Sequence, residues 1–359
     1  MAAPAGRVIV YRAGGVRNSI VAYDLGADRE LWTIDDSSYR WTSLAVAGEY
    51  LIMADAREVA LYRVTGERTA QLRELSEFDS ESAGNMAVSP NGKLVAIVIG
   101  RSLGPSPTPL PPGPGGGGFL PDDLVVVYDV ETQHEVVRFD YHDPAFPELG
   151  SGFGALQWRD DGEGVLLWIA ATPELAGPYF TLYLDGRIEK HQYEGWAFVA
   201  PSSRRTAEGF GSLGCMFISG HDVVLRDLDN GAVLGELHDE SRAFSGFDWS
   251  PDSTQFLFES WPYEEPWDCG TVLRAEEPAL LLLDTVNGEV SDVSDAESLL
   301  RGWYGDALLW MECAGEFAPI RPHAFGNVRV GACEGPGRLY VGDQDAGVGE
   351  TFQIVGIIE

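Results

Sequence analysis

Positive charge is what this chain has least of. Lysine and arginine together number 24 against 56 aspartates and glutamates, for a formal net charge of −32. Such a surface repels phosphate backbones and anionic lipid, which sets aside nucleic acid and membrane surfaces as partners. Cations, basic proteins and neutral ligands remain. Long apolar runs are missing too, none approaching the roughly 18–20 residues of a membrane-spanning helix. The start, Met1-Ala2-Ala3-Pro4-Ala5-Gly6, has neither the basic stretch nor the apolar core of a signal peptide. Two locations fit: the cytoplasm, or an extracytoplasmic site for a mature secreted domain whose leader has been removed. The small-residue start favours the second.

Catalytic signatures are also missing. There is no nucleophile elbow, phosphate loop or dinucleotide fingerprint. Gly209-Phe210-Gly211-Ser212-Leu213-Gly214 has the glycine content of a phosphate loop, but no helix follows it, so it reads as a permissive strand segment. The four cysteines, Cys215, Cys269, Cys313 and Cys333, include no Cys-x-x-Cys pair to support a zinc site.

What the chain does have is repetition. Hydrophobic residues make up 45% and charged residues 22%, a composition that supports a large packed core. One unit is a hairpin of alternating strands around an Asp or Gly turn: Ile20–Leu25 into Glu30–Ile34, Ala60–Val64 into Ala70–Leu72, Val125–Val130 into Glu135–Phe139. Further copies centre on Leu182–Asp185, Val224–Leu228 and Leu281–Asp284, and the seventh runs from Leu339–Asp343 into Thr351–Val355. A second unit precedes six of these: an apolar or Trp-ended strand, a tight polar corner and another strand. Its clearest copies are Met86-Ala87-Val88-Ser89-Pro90-Asn91-Gly92 and Phe247-Asp248-Trp249-Ser250-Pro251-Asp252-Ser253. The strand ends Val46, Val88, Trp158, Val199, Trp249 and Trp303 recur every 41–54 residues, once the Pro- and Gly-rich stretch 101–123 is taken out of the single gap of 70.

The Trp-Ser-Pro-Asp corner resembles the repeat of TolB-like proteins and their distant WD-repeat relatives. That resemblance implies a propeller fold, and the seven hairpins with their spacing set the expectation: all-β, one domain over residues 1–359, a seven-bladed β-propeller of four-stranded antiparallel blades, with 101–123 a solvated loop inserted in blade three. It carries no activity with it. Ring closure stays open between two readings. Thr351–Ile358 either fills the innermost place of blade one, with Asn327–Cys333 as an extra strand of blade seven, or is the outer strand of blade seven.

With blade strands labelled a to d outward from the channel, length concentrates on the face carrying the b–c and d–a loops. The b–c connections are 101–123, 171–178, 260–278 and 314–336, and the longer d–a connections are 35–43, 76–85 and 141–153. The richest loop holds Trp261, Tyr263 and Trp267 among acids, a composition suited to an interface anchor or a platform for a sugar ring or cation. Trp41, Tyr39, His142 and Phe146 lie on d–a loops of the same face. The four cysteines map there too, and the expected pairs are Cys313 with Cys333 and Cys215 with Cys269, against free thiols as the alternative.

No resident cofactor is expected. Acidic clusters such as Asp79-Ser80-Glu81 and Asp239-Glu240 could meet calcium, but none has an established calcium-loop spacing and they read as a solvated rim. The expected function is non-enzymatic recognition of a protein or glycan on the long-loop face. The alternative is a hydrolase, lyase or lactonase with a divalent metal at the channel mouth, for which His142 beside Asp143 is the best single ligand candidate.

Overall fold

The computed structural model describes residues 8–14, 19–24, 26–27, 29–35, 43–55, 57–63, 65–75, 81–100, 124–146, 153–169, 179–191, 196–200, 202, 204–210, 219–228, 230–250, 252–262, 279–293, 298–304, 307–313, 337–341, 344–349 and 351–358. All regular structure among them is β-strand, and every pairing is antiparallel.

The first sheet holds β1 (Val8–Gly14), β2 (Ser19–Asp24) and β3 (Arg29–Asp35). The second holds β4 (Ser43–Ala47), β5 (Tyr50–Ala54), β6 (Glu58–Arg63) and β7 (Arg68–Glu74). The third is β8 (Ser82–Val88), β9 (Leu94–Gly100), β10 (Leu124–Asp129) and β11 (Glu135–Asp140). The fourth is β12 (Phe153–Trp158), β13 (Gly164–Ile169), β14 (Tyr179–Tyr183) and β15 (Ile188–His191). The fifth contains β16 (Trp196–Val199), β17 (Arg205–Phe210), β19 (Asp222–Asp227) and β20 (Val233–His238), while the short β18 (Ser219–Gly220) lies in its b–c connection. The sixth contains β21 (Arg242–Trp249), β22 (Gln255–Pro262), β23 (Ala279–Asp284) and β24 (Val290–Asp292). The next is β25 (Ser298–Tyr304), β26 (Ala307–Cys313), β27 (Gly337–Val341) and β28 (Gln344–Gly349). The last strand, β29 (Thr351–Ile358), joins the first sheet.

That final pairing decides between the two closure readings. β29 runs antiparallel to β1 from Val8↔Ile358 to Gly14↔Thr351, so the innermost place of the first sheet is filled by the end of the chain. The hairpin expected between Leu339–Asp343 and Thr351–Val355 is corrected: β27 pairs with β28 instead. Asn327–Cys333 lies outside the described residues, and the fourth strand beside β27 is Gln344–Gly349.

Apolar runs such as Leu94–Gly100 and Leu124–Asp129 are continuous rather than alternating because both faces of a sheet are covered. Val95, Ile97, Ile99 and Val126 pack with Ile52, Ala54, Val59 and Leu61 of the second sheet, whereas Ala96, Val98, Val125 and Val127 pack with Val165, Leu167, Phe180 and Leu182 of the fourth. The same division recurs on the second sheet, whose Leu51, Met53 and Ala60 meet Val8, Val10, Ile20 and Ala22 of the first. Sheets therefore stack side by side, each shared apolar layer joining two of them. Innermost strands approach closely at β29–β4, β4–β8, β8–β12, β16–β21, β21–β25 and β25–β29.

The corners explain their sequences. Ser89 Oγ donates to Asn91 Oδ1 (2.8 Å) and accepts from Leu94 N (2.9 Å), while Asn91 Oδ1 accepts from Lys93 N (3.0 Å). Ser250 and Asp252 repeat this arrangement with Thr254 and Gln255. One side-chain pair thus satisfies the backbone donors that the turn leaves unpaired. Gly92 adopts a φ of +68°, and a Cβ there would stand 2.8 Å from Gly48 N, so the corners of the second and third sheets meet backbone to backbone.

The outer c–d hairpins of the third, fifth and sixth sheets share a five-residue turn in which the first Asp carbonyl accepts from the amide four residues on: Gln133 to Asp129, Gly231 to Asp227 and Gly288 to Asp284. The Asp129 and Asp284 carboxyls are held below the usual carboxylate range, chiefly by backbone amides of the turn. The residue whose amide donates takes a left-handed φ in each of these turns, 73° and 68° at the glycines but 64° at Gln133. A side chain in that region costs about 1–2 kcal/mol. Gln133→Gly is therefore expected to raise the melting temperature, with a stabilisation of up to about 1 kcal/mol after the greater unfolded-state entropy of glycine is offset. Thermal denaturation monitored by circular dichroism checks it.

Candidate functional site

The sixth sheet carries the most elaborate structure on the long-loop face. Its strands β21 and β22 each have eight residues and pair out to Arg242↔Pro262, so the connection expected from 260 begins after Pro262. On the inner edge of β21 lies β18, with Ser219 opposite Ser245 and Gly220 opposite Phe244. A segment from the fifth sheet's b–c connection thus crosses to cap the innermost strand of the sixth.

Side chains lock this extension. Arg242 donates from Nε to Ser260 Oγ and from Nη2 to Ser260 O (3.0 Å), and Ser260 is fully buried. The Arg242 carbonyl accepts a 2.6 Å hydrogen bond from His221 Nδ1, which fixes the proton on that nitrogen because a carbonyl cannot donate. Asp239 N donates to His221 O (3.0 Å) and Arg242 N donates to Asp239 O (3.1 Å). Asp239 Oδ1 in turn accepts from Ser241 N and Oγ, and these bonds hold its carboxyl below the usual range. Three chain segments of this face are therefore bound into one rigid base: the end of the fifth sheet's b–c connection, the 239–241 turn and the root of the aromatic loop.

Trp261 belongs to that base. Its backbone is part of β22, in register with Ala243, rather than of a loop. Tyr263, Trp267 and Trp41 lie outside the described residues, as do Tyr39, Cys215, Cys269 and Cys333. Cys313 is the last residue of β26, opposite Gly337. His142 is exposed in the 141–146 turn, where its amide donates to Asp140 Oδ1 (2.9 Å) and its ring meets Tyr141 edge-on at 6.1 Å. Phe146, four residues on, is a correction: it is buried against Phe180 at 5.0 Å, in the core shared by the third and fourth sheets, and cannot present itself to a ligand.

A second correction concerns Glu81, read as part of a solvated acidic rim. Its side chain is 5% exposed and pairs at 2.9 Å with Arg73 of the second sheet. Burial alone would lower the Arg73 guanidinium, but hydrogen bonds with Tyr128 and Glu81 outweigh it and hold the guanidinium above its ordinary value. Burial correspondingly pushes the Tyr128 hydroxyl up. Among the described residues, no group of three or more His, Cys, Asp and Glu side chains is arranged to hold a metal ion.

The latch residues Arg242, Ser260 and His221 escaped sequence reading.

No protein-family model and no curated protein matches the chain by sequence. Solved structures do match by shape. The acylaminoacyl peptidase of Pyrococcus horikoshii aligns at TM-score 0.59 and 12% identity over 94% of this chain and 52% of its own. The chain thus spans about half the length of that peptidase. The β-propeller domain of the Trilobed protease from Pyrococcus furiosus aligns at TM-score 0.52 and 12% identity, covering 93% of this chain and 86% of that one. TolB from Acinetobacter baumannii is among the neighbours at TM-score 0.39 and 12% identity, over 93% of this chain and 78% of its own. At these identities the likeness concerns fold alone, and it is carried by the first two: the chain has the fold of a β-propeller.

Proposed function

We propose that the chain is a seven-bladed propeller acting as a non-enzymatic recognition module, which binds a protein or glycan on its long-loop face. The blade count is supported by the close approaches of innermost strands together with the pairing of β29 on β1, which brings the two ends of the chain into one sheet. The binding reading rests on one observation above others, the latched extension of β18, β21 and β22. A base held by Arg242–Ser260 and His221 can carry aromatic anchors without paying to order them on binding.

Trp261, Tyr263 and Trp267 would be the principal contacts, with Trp41 and His142 secondary. A rigid aromatic anchor contributes on the order of 2 kcal/mol or more to binding. The Trp261→Ala/Trp267→Ala double variant is expected to lose binding at least tenfold on arrays of oligosaccharides and of basic polypeptides, with its melting curve nearly unchanged. Normal binding by the double variant would move the site to the opposite face, and a loss of several kcal/mol in stability would make the rings core.

The same reading places the protein outside the cytoplasm, with Cys313–Cys333 and Cys215–Cys269 bonded. A disulfide closing a loop of about 20 residues stabilises by roughly 3 kcal/mol. Mass measurement after alkylation without reductant is expected to find no labelled cysteine. Four labels would remove both the disulfides and the extracytoplasmic assignment.

A further inference from the structure

We infer that His238 makes the latch at the root of the aromatic loop sensitive to pH: its imidazolium ties the start of β19 to the 239–241 turn, and the tie loosens when the ring loses its proton. The tie does not depend on the recognition reading above; only its consequence for binding does.

His238 closes β20 and stands opposite Asp222, the first residue of β19. The chain beside this pair is already fastened. Asp239 N donates to His221 O (3.0 Å), Arg242 N donates to Asp239 O (3.1 Å), and Arg242 O accepts from His221 Nδ1 (2.6 Å). None of these bonds turns on a proton that comes and goes, since an amide keeps its hydrogen and the His221 ring bears one on Nδ1 as a neutral tautomer or as a cation.

The contacts of His238 do titrate. Its Nδ1 lies 2.6 Å from Asp222 Oδ1, and its Nε2 faces Glu240 Oε1 at 4.0 Å. Two elements thus present carboxylates to the two nitrogens of one ring, Asp222 from β19 and Glu240 from the turn. Asp239 adds its charge from the same turn, and Arg242 offsets part of it. An imidazolium has an N–H on each side and attracts both carboxylates. A neutral ring has one. Kept on Nδ1 by the short bond to Asp222, it leaves the Nε2 lone pair facing the Glu240 anion, so attraction there turns to repulsion.

The direction follows from the same geometry. The hydrogen bond to Asp222, with the charges of Asp222, Glu240 and Asp239, holds the proton on His238 above the ordinary histidine range. A group whose value is raised on folding contributes its stabilisation fully below the unfolded value, and loses it as pH rises through the folded one. The latch is therefore firmest in mildly acidic solution and loosens on the alkaline side of the ordinary range. The His238 and Asp222 side chains are 59% and 51% exposed, so water and salt screen the tie, and its effect is confined to local opening of the turn.

Amide exchange resolved by NMR on the full chain reads the latch without any ligand. Protection of the Asp239 and Arg242 amides, with intrinsic rates divided out, is expected to fall about two- to fivefold between about pH 5.5 and about pH 9 at low salt. The Gly231 and Gly288 amides, bonded within c–d turns, are expected to stay constant over the same range. His238→Gln, at an exposed position, is expected to fold and to abolish the response, and Glu240→Gln to weaken it. Constant protection in the unaltered protein overturns the inference. So does a full response in His238→Gln, which would assign the titration to another group, or in Glu240→Gln, which would leave Asp222 acting alone. Failure here would leave the recognition reading untouched, because no binding is measured, and failure of the Trp261/Trp267 test would leave the latch as it is.

Discussion

Trp249→Ala is expected to destabilise the protein by about 3–5 kcal/mol, the range for removing a large buried aromatic side chain. The indole is 4% exposed, packs on Phe256 at 5.1 Å and donates from Nε1 to Phe198 O at 2.7 Å. Its loss opens a cavity in the layer between the fifth and sixth sheets and leaves a carbonyl of the neighbouring sheet without that donor. Trp249→Phe separates the two contributions, since it keeps much of the ring and removes the donor. Its expected cost is about 1–3 kcal/mol, the penalty for stranding a buried polar group. Trp158, which reaches Ala87 O at the same 2.7 Å, should behave in parallel. Urea denaturation of the four single variants measures these costs. A Trp249→Phe variant as stable as the unaltered protein would show that the bolt between sheets has no energetic weight.

Glu81→Ala is expected to cost a comparable amount, about 3–5 kcal/mol, because breaking a buried pair leaves an uncompensated charge. Arg73 is already short of partners: its Nε is a buried side-chain donor with none. Taking away the carboxylate leaves a guanidinium that cannot lose its proton, wedged between the second and third sheets. Replacing Arg73 and Glu81 together by Met and Leu removes the charge as well as its partner. That pair of changes should be far milder than Glu81→Ala alone, and equilibrium unfolding in urea distinguishes them. If the double change proves as damaging as the single one, the cost is packing and not charge.

Most of the sheet architecture could be read from the residues because propeller-type sheets repeat one chemistry. Apolar runs bounded by Asp-Gly or Ser-Pro-Asx turns recur, and the structure supplies the reason: side-chain oxygens of Ser89, Asn91, Ser250 and Asp252 take up the turn amides. What escaped had no such mark. Gln344–Gly349 is Gln-Asp-Ala-Gly-Val-Gly, with two glycines and an acid, and its extended state is imposed by the ladder to β27 and not by its own propensity. The two-residue β18, Ser-Gly, is likewise invisible until β21 is beside it. Glu81 and Phe146 were misplaced for a shared reason. Both sit in d–a connections, which read as surface, yet each sends its side chain back between sheets.

The proposed recognition site was legible only in outline. The aromatic cluster and the acids around it are visible in sequence, and the long connections fall where the strand bounds put them. The latch of Arg242, Ser260 and His221 is not visible, because these residues are far apart in the chain and bear no spacing rule. Their meeting is a product of register: β22 must run on to Pro262 before Ser260 stands within reach of Arg242.

The claim on which the rest depends is that the chain closes on itself as one ring of seven blades. An experimentally determined structure of the full chain tests it most directly. The account predicts seven sheets around one channel, with Thr351–Ile358 hydrogen-bonded along Val8–Gly14. A final strand paired instead with Gly337–Val341 of its own sheet, or a ring of six or eight blades, would contradict it.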